Sequence, residues 1–143
     1  MPTLINFFSE DIEFSLSNQQ KIIKWIRSIV DKEKGNLSKL NFIFCSDKYL
    51  SEINSKYLKH SELTDIITFQ YNDNSVAGDI FISIERLKEN FKKYNSSFND
   101  ELLRVMIHGI FHMLGYKDSQ IEEKELMRKK ENEAIEIFVL LHK

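Results

Sequence analysis

The stretch from Ser97 to Gly115 constrains this chain more than any other. Leu102, Leu103, Met106, Ile107, Ile110 and Phe111 recur at helical spacing and give an apolar face too broad for a surface helix. Such a helix is central and largely buried, so the rest of the chain must supply layers that cover it. Ser97 stands where an N-cap is needed, with Asp100 at the capping-box position. Gly115 stops the helix, because glycine tolerates the positive φ of a sharp reversal.

The flanking segments supply those layers. Thr3 to Phe8 is a short apolar and aromatic run, read as a strand. Ser17 and Gln20 have capping-box spacing, and Ile22, Ile23, Trp25, Ile26, Ile29 and Val30 follow with helical periodicity. Gly35 is the expected C′ residue of that helix. Leu40 to Cys45 reads as a second strand, and Asp47 to about Leu58 as a helix. Ile66–Tyr71 and Ala77–Ser83 flank the turn cluster Asn72-Asp73-Asn74-Ser75, which predicts a hairpin. Ser83 to Tyr94 is helical, and Ser119 with Glu122 opens a charged last helix to about Leu141. The order predicts an α+β fold of α/β layers: a small mixed sheet of about four strands, covered by helices, with the His-bearing helix at its centre. One domain is expected over residues 1–143, since no linker, repeat or low-complexity tract divides it.

Composition removes several classes of function. Lys and Arg total 20 against 22 Asp and Glu, so the chain lacks the strongly basic balance of a global nucleic-acid footprint. A single cysteine, Cys45, excludes an internal disulfide framework and a cysteine-rich zinc ribbon. Any metal site must therefore use histidine and carboxylate. No apolar run approaches the ~18 residues of a membrane span, and the N-terminal segment lacks the basic start of a signal peptide. A reducing, cytoplasmic location is the expectation.

The central helix carries the chemistry. His108 and His112 are i and i+4, side by side on one face at a spacing that suits two imidazoles on one metal. A sharp turn at Gly115 can bring Asp118 back toward them. Two imidazoles and one carboxylate leave a tetrahedral zinc with an open position, the catalytic arrangement. The frame H-x-x-x-H-x-x-G-x-x-D parallels the metzincin pattern. The general-base glutamate of that pattern is Gly109 here, which argues against a protease. Histidines at this spacing also occur as plain core or surface residues; the glycine and aspartate at the right offsets favour ligands.

The same stretch resembles the signature of the YbeY family of metal-dependent endoribonucleases, H-G-x-L-H-L-x-G-Y-D-H. His108, Gly109, His112, Gly115 and Tyr116 match as they stand, with Lys117 and Asp118 in place of the final Asp and His. Ile53-Asn54-Ser55-Lys56-Tyr57-Leu58 and Thr64-Asp65-Ile66-Ile67-Thr68-Phe69 resemble the family blocks L-N-x-x-[FY]-R and P-T-D-V-L-S-F. Gly78-Asp79-Ile80-Phe81-Ile82-Ser83 resembles G-D-I-x-I-S. The resemblance covers roughly residues 40 to 135 in order. It departs at Leu58, where the family has an arginine linked to RNA cleavage, and at Leu63, where it has proline.

That resemblance implies a Zn²⁺-dependent, single-strand-specific endoribonuclease. It would act in 16S rRNA 3′-end maturation and ribosome quality control, with rRNA and the small subunit as partners. It makes His108, His112 and Asp118 the metal ligands. Lys59, next to Leu58, is a candidate replacement cation, and Asp79 a candidate to orient a ligand imidazole from behind. The bland reading of Asp79 is a strand-start residue, and of Asp65 a turn residue. The basic groups Arg86, Lys88, Lys92, Lys93 and Lys124, Arg128, Lys129, Lys130 are interleaved with glutamates and read as solvated helix faces. Lys59, His60 and Lys117 are the better phosphate candidates. Two other readings stay open: a non-catalytic ribosome-associated rRNA-binding factor with a structural metal, and a zinc hydrolase of another substrate class.

Overall fold

The computed structural model describes residues 4–58, 65–93 and 96–142. Four strands form one sheet: β1 (Ile5–Ser9), β2 (Leu37–Cys45), β3 (Ile66–Gln70) and β4 (Val76–Ser83), in the order β1-β2-β4-β3. β1 and β4 both run parallel to β2, while β3 pairs antiparallel with β4. The sheet is mixed, as the sequence predicts. The β3–β4 hairpin turns where Asn72 Oδ1 accepts from the Asn74 amide and the Ser75 hydroxyl.

Among the described residues five helices cover the sheet: α1 (Gln19–Lys32), α2 (Asp47–Ile53), α3 (Ile84–Lys93), α4 (Phe98–Met113) and α5 (Ile121–Leu141). A π-helical turn, Asn54–Leu58, extends α2. Strand alternation divides the sheet's two faces. Leu40, Phe42, Phe44, Ile80 and Ile82 join the main core with the apolar faces of α1, α4 and α5. Cys45, Ile67, Phe69 and Phe81 face the other way, under Leu50 and Ile53 of α2 and its extension. In the main core each fully sealed large side chain contributes roughly 1.5–3 kcal/mol.

The breadth of the α4 apolar face is explained by what surrounds it. Leu102, Leu103, Met106, Ile107, Ile110 and Phe111 are all buried, at 7% exposure or less. Gly109 lies against the sheet: a Cβ there would sit 3.0 Å from Ile66 Cδ1 and 3.1 Å from Ile80 Cδ1. Trp25 is fully buried and donates from Nε1 to the Ala134 carbonyl at 2.7 Å, tying α1 to α5. Cys45 is buried, and desolvation pushes its thiol up to about 12, which suits a packing role.

Three helix boundaries differ from the sequence reading. The N-cap of α1 is Asn18 in a left-handed conformation with no side-chain cap, so the Ser17/Gln20 spacing is not used. At the other end of α1 the left-handed residue is Lys34, and Gly35 follows as C″, its amide bonded to the Val30 carbonyl at 2.8 Å. Gly35 is instead needed for close approach, because a Cβ would lie 2.6 Å from Leu114 Cδ2. The α5 capping box is Gln120 with Glu123, one residue beyond the expected pair, and Ser119 donates to Glu123. The α4 boundaries are as read: Ser97 Oγ accepts from the Asp100 amide at 3.1 Å, and Gly115 sits at C′ with φ +102°.

Candidate metal centre

The turn at Gly115 builds the site. The Gly115 amide bonds to the His112 carbonyl at 3.0 Å, and the Tyr116 amide to the Phe111 carbonyl at 3.0 Å. This is a Schellman closure, and it satisfies carbonyls that the helix end would otherwise orphan. The chain then doubles back so that Asp118 meets the helix face one turn above its end. Tyr116 anchors the reversal: its ring packs edge-on against Phe111, and its hydroxyl donates to Glu33, which also pairs with Lys130 at 2.9 Å.

His108, His112 and Asp118 converge so that one donor atom from each lies within 4.8 Å of the others. His108 Nε2 is 2.9 Å from His112 Nε2 and 3.2 Å from Asp118 Oδ2, and His112 Nε2 is 3.4 Å from Asp118 Oδ2. The partners of the opposite ring nitrogens fix what these atoms are. His108 Nδ1 contacts Glu131 Oε2 at 2.6 Å, and His112 Nδ1 contacts the Tyr116 carbonyl at 3.1 Å. Both partners only accept, so each Nδ1 carries the proton and donates. In neutral rings, both Nε2 lone pairs then point at each other and at a carboxylate oxygen. Three electron-rich atoms at such distances are held together either by a proton on one ring or by a cation bound among them. Ligands ~2.05 Å from a tetrahedral zinc would be about 3.3 Å apart, close to the separations seen. The donor set fits a divalent metal with an open position.

Electrostatics agree with that geometry. Burial lowers the affinity of His108 for a proton, but the Glu131 hydrogen bond and the charges of Glu131, Asp118 and Asp65 outweigh it and leave the pKa raised. The same field favours a metal cation in place of that proton. Glu131 is itself nearly sealed and is held by Arg104 Nη1 at 3.1 Å, whose Nη2 donates to Asn132 Oδ1 at 2.9 Å. Beside His108 and Asp118 opens a polar cleft of about 430 Å³, lined also by Asp65, Glu101, Arg104 and Arg128. Burial raises the Asp65 carboxyl.

The other expected residues fall elsewhere. Asp79 does not orient a ligand imidazole. It alternates with Ile80 on β4, so it projects to the α2 side of the sheet, whereas Gly109 packs on Ile80 from the opposite side. There Asp79 accepts from Asn41 Nδ2 at 3.0 Å and Tyr71 Oη at 2.8 Å. The carboxylate that meets an imidazole of the cluster is Glu131, one of the interleaved glutamates that the sequence reads as part of a solvated helix face. Its signal was visible: a glutamate one helical turn beyond Met127, on the stripe that also carries Ala134. Lys59 and His60 lie outside the described residues, as does the Leu58 side chain. Lys117 is exposed and is not among the residues lining the cleft.

An α+β sheet-and-helix fold whose central helix presents two histidines to a returning aspartate defines a candidate metalloenzyme. The chain belongs to the endoribonuclease YbeY family, whose model matches residues 4–139. It is 48% identical to the endoribonuclease YbeY of Flavobacterium johnsoniae over 136 residues, covering 94% of this chain and 97% of the relative. It is 47% identical to that of Karelsulcia muelleri over 141 residues, covering 98% of each. Among solved structures, the solution structure of TM1509 from Thermotoga maritima matches with a TM-score of 0.68 at 27% identity, covering 94% of this chain and 88% of that one.

Proposed function

We infer that this protein is a zinc-dependent endoribonuclease that cuts single-stranded RNA at the His108–His112–Asp118 centre. Its proposed setting is 16S rRNA 3′-end maturation and ribosome quality control in the cytoplasm. Family membership supports RNA as the substrate. The observation that carries the chemistry is the convergence of two Nε2 atoms and one carboxylate oxygen within 3.4 Å.

A zinc ion bound there would supply Lewis acidity toward a phosphoryl oxygen. The chain's own residues do the rest. Glu131 and the Tyr116 carbonyl each hold a proton on Nδ1 of a ligand histidine, which fixes the tautomer and the ring direction. Asp118 adds a negative charge to the ligand set. Gly109 presses the helix onto Ile66 and Ile80, so no side chain from that position can serve as a base. This favours RNA, whose own 2′-hydroxyl is available as nucleophile, over a peptide that needs an activated water.

The test is cleavage of a labelled single-stranded RNA by zinc-loaded protein and by His112→Ala purified identically. The expected result is cleavage by the first and loss of at least ~10²-fold in the second, as for removal of a principal transition-state stabiliser. Cleavage equal in both would assign the activity to a contaminant and overturn the reading.

A further inference from the structure

We propose that Arg128 is the phosphate anchor of the metal cleft, the side chain that holds the RNA backbone next to the reacting centre. The inference rests on the ribonuclease reading above and adds to it a named binding residue.

The cleft poses an electrostatic problem for a polyanion. Among the described residues four carboxylates line it, Asp65, Glu101, Asp118 and Glu131, against two arginines, Arg104 and Arg128. A bound divalent cation would bring the local balance near neutrality and no further. RNA phosphates therefore need a cation in the cleft that is not already spent on the protein. Arg104 is spent. Its two terminal nitrogens bond Glu131 and Asn132, and its side chain is only 19% exposed. Arg128 differs on each count. Its side chain is 63% exposed, and its one ion-pair contact among the described residues is a long 3.8 Å to Glu131 Oε1. That oxygen already has Arg104 at 3.1 Å, and the other Glu131 oxygen has His108. Arg128 can thus swing toward a ligand while Glu131 keeps its partners.

Placement on α5 completes the case. Arg128 precedes Glu131 by three residues, so it shares the helix face that contacts His108. Its basic neighbour Lys130 points away, paired with Glu33 and set over the Tyr116 ring. The cluster at 124–130 therefore divides, and Arg128 is its member in the cleft. A guanidinium there can grip two phosphate oxygens at once, with a flexible stem that suits a substrate passing through.

The experiment measures binding of a fluorescently labelled single-stranded RNA to zinc-loaded protein across a salt series, together with cleavage kinetics. Arg128→Ala is expected to weaken binding and raise KM about tenfold while kcat stays within about twofold. The slope of log affinity against log salt should fall by about 0.7, the value for one lost phosphate contact on a single strand. Arg128→Lys should recover part of the loss. Zinc content and melting temperature of both variants should equal those of the parent. If the parent binds and cleaves RNA and Arg128→Ala matches it in KM and salt slope, the anchor is overturned and the ribonuclease reading stands. A loss confined to kcat also overturns anchoring. If the parent neither binds nor cleaves RNA, both readings fall.

Discussion

Glu131 holds His108 by a 2.6 Å hydrogen bond between α5 and α4, and that contact joins α5 to the helix face that carries the candidate metal centre. A nearly buried carboxylate, 6% exposed at its side chain, bonds Arg104 through one oxygen and the His108 imidazole through the other. The candidate metal centre and the docking of α5 therefore share one residue.

Replacing that residue separates the two effects. Glu131→Gln keeps an acceptor for Nδ1–H but removes the charge, and it should weaken zinc binding by about 10–100-fold, the usual cost of losing a partner behind a metal ligand. Glu131→Ala should do the same and also leave Arg104 without its acid, at a cost of roughly 3–5 kcal/mol for a broken buried pair. Chelator competition reads the first effect, and urea unfolding of the metal-free protein the second. Equal zinc affinity in all three proteins would remove Glu131 from the site.

The pH dependence of the metal-free protein follows from the raised pKa of His108. A group whose folded pKa lies above its unfolded value of about 6.5 adds stability below that pH and loses it as pH rises through the folded value. The urea midpoint of the metal-free protein should therefore carry a component that declines as pH rises above about 6.5, and Glu131→Gln should flatten it. Zinc must displace the same proton, so its affinity should fall as pH drops. A component that grows with rising pH would have the wrong sign for this pair.

Two glycines give contrasting predictions. A Cβ at Gly78 would lie 2.0 Å from the Phe69 carbonyl oxygen, in a backbone at φ +153°. Gly78→Ala should break the β3–β4 pairing and leave little folded protein on gel filtration. A Cβ at Gly115 would meet nothing within 4 Å, so only the φ of +102° resists it. Gly115→Ala should fold with a loss of about 1–3 kcal/mol, the range for a strained backbone position. It should bind zinc more weakly because Asp118 is displaced. Isothermal titration with zinc and thermal melts check both halves.

Much of this was legible in the chain because local patterns and tertiary needs agree. The α4 apolar stripe, the Ser97 cap and the Gly115 reversal each have a local cause, and together they place His108, His112 and Asp118. The α1 boundary was not legible, because Gly35 answers to a clash with Leu114, 79 positions away in sequence, and not to helix-end geometry. The two readings of Asp79, an orienting carboxylate and a strand residue, stay undivided in the sequence for a related reason. Strand alternation places it opposite Ile80, but which face α4 covers is decided by packing across the sheet. Glu131 is only half legible: its spacing from Met127 and Ala134 puts it on the buried stripe of α5, but nothing local says that a histidine from another element meets it there.

A metal centre at these three residues is tested by the zinc content of the purified protein and of His112→Ala, measured by mass spectrometry after zinc loading and dialysis. Close to one zinc per chain is expected in the first and little in the second, since removing one of three protein ligands opens the site. No retained zinc in the parent, or equal retention in the variant, would contradict a metal centre at His108, His112 and Asp118.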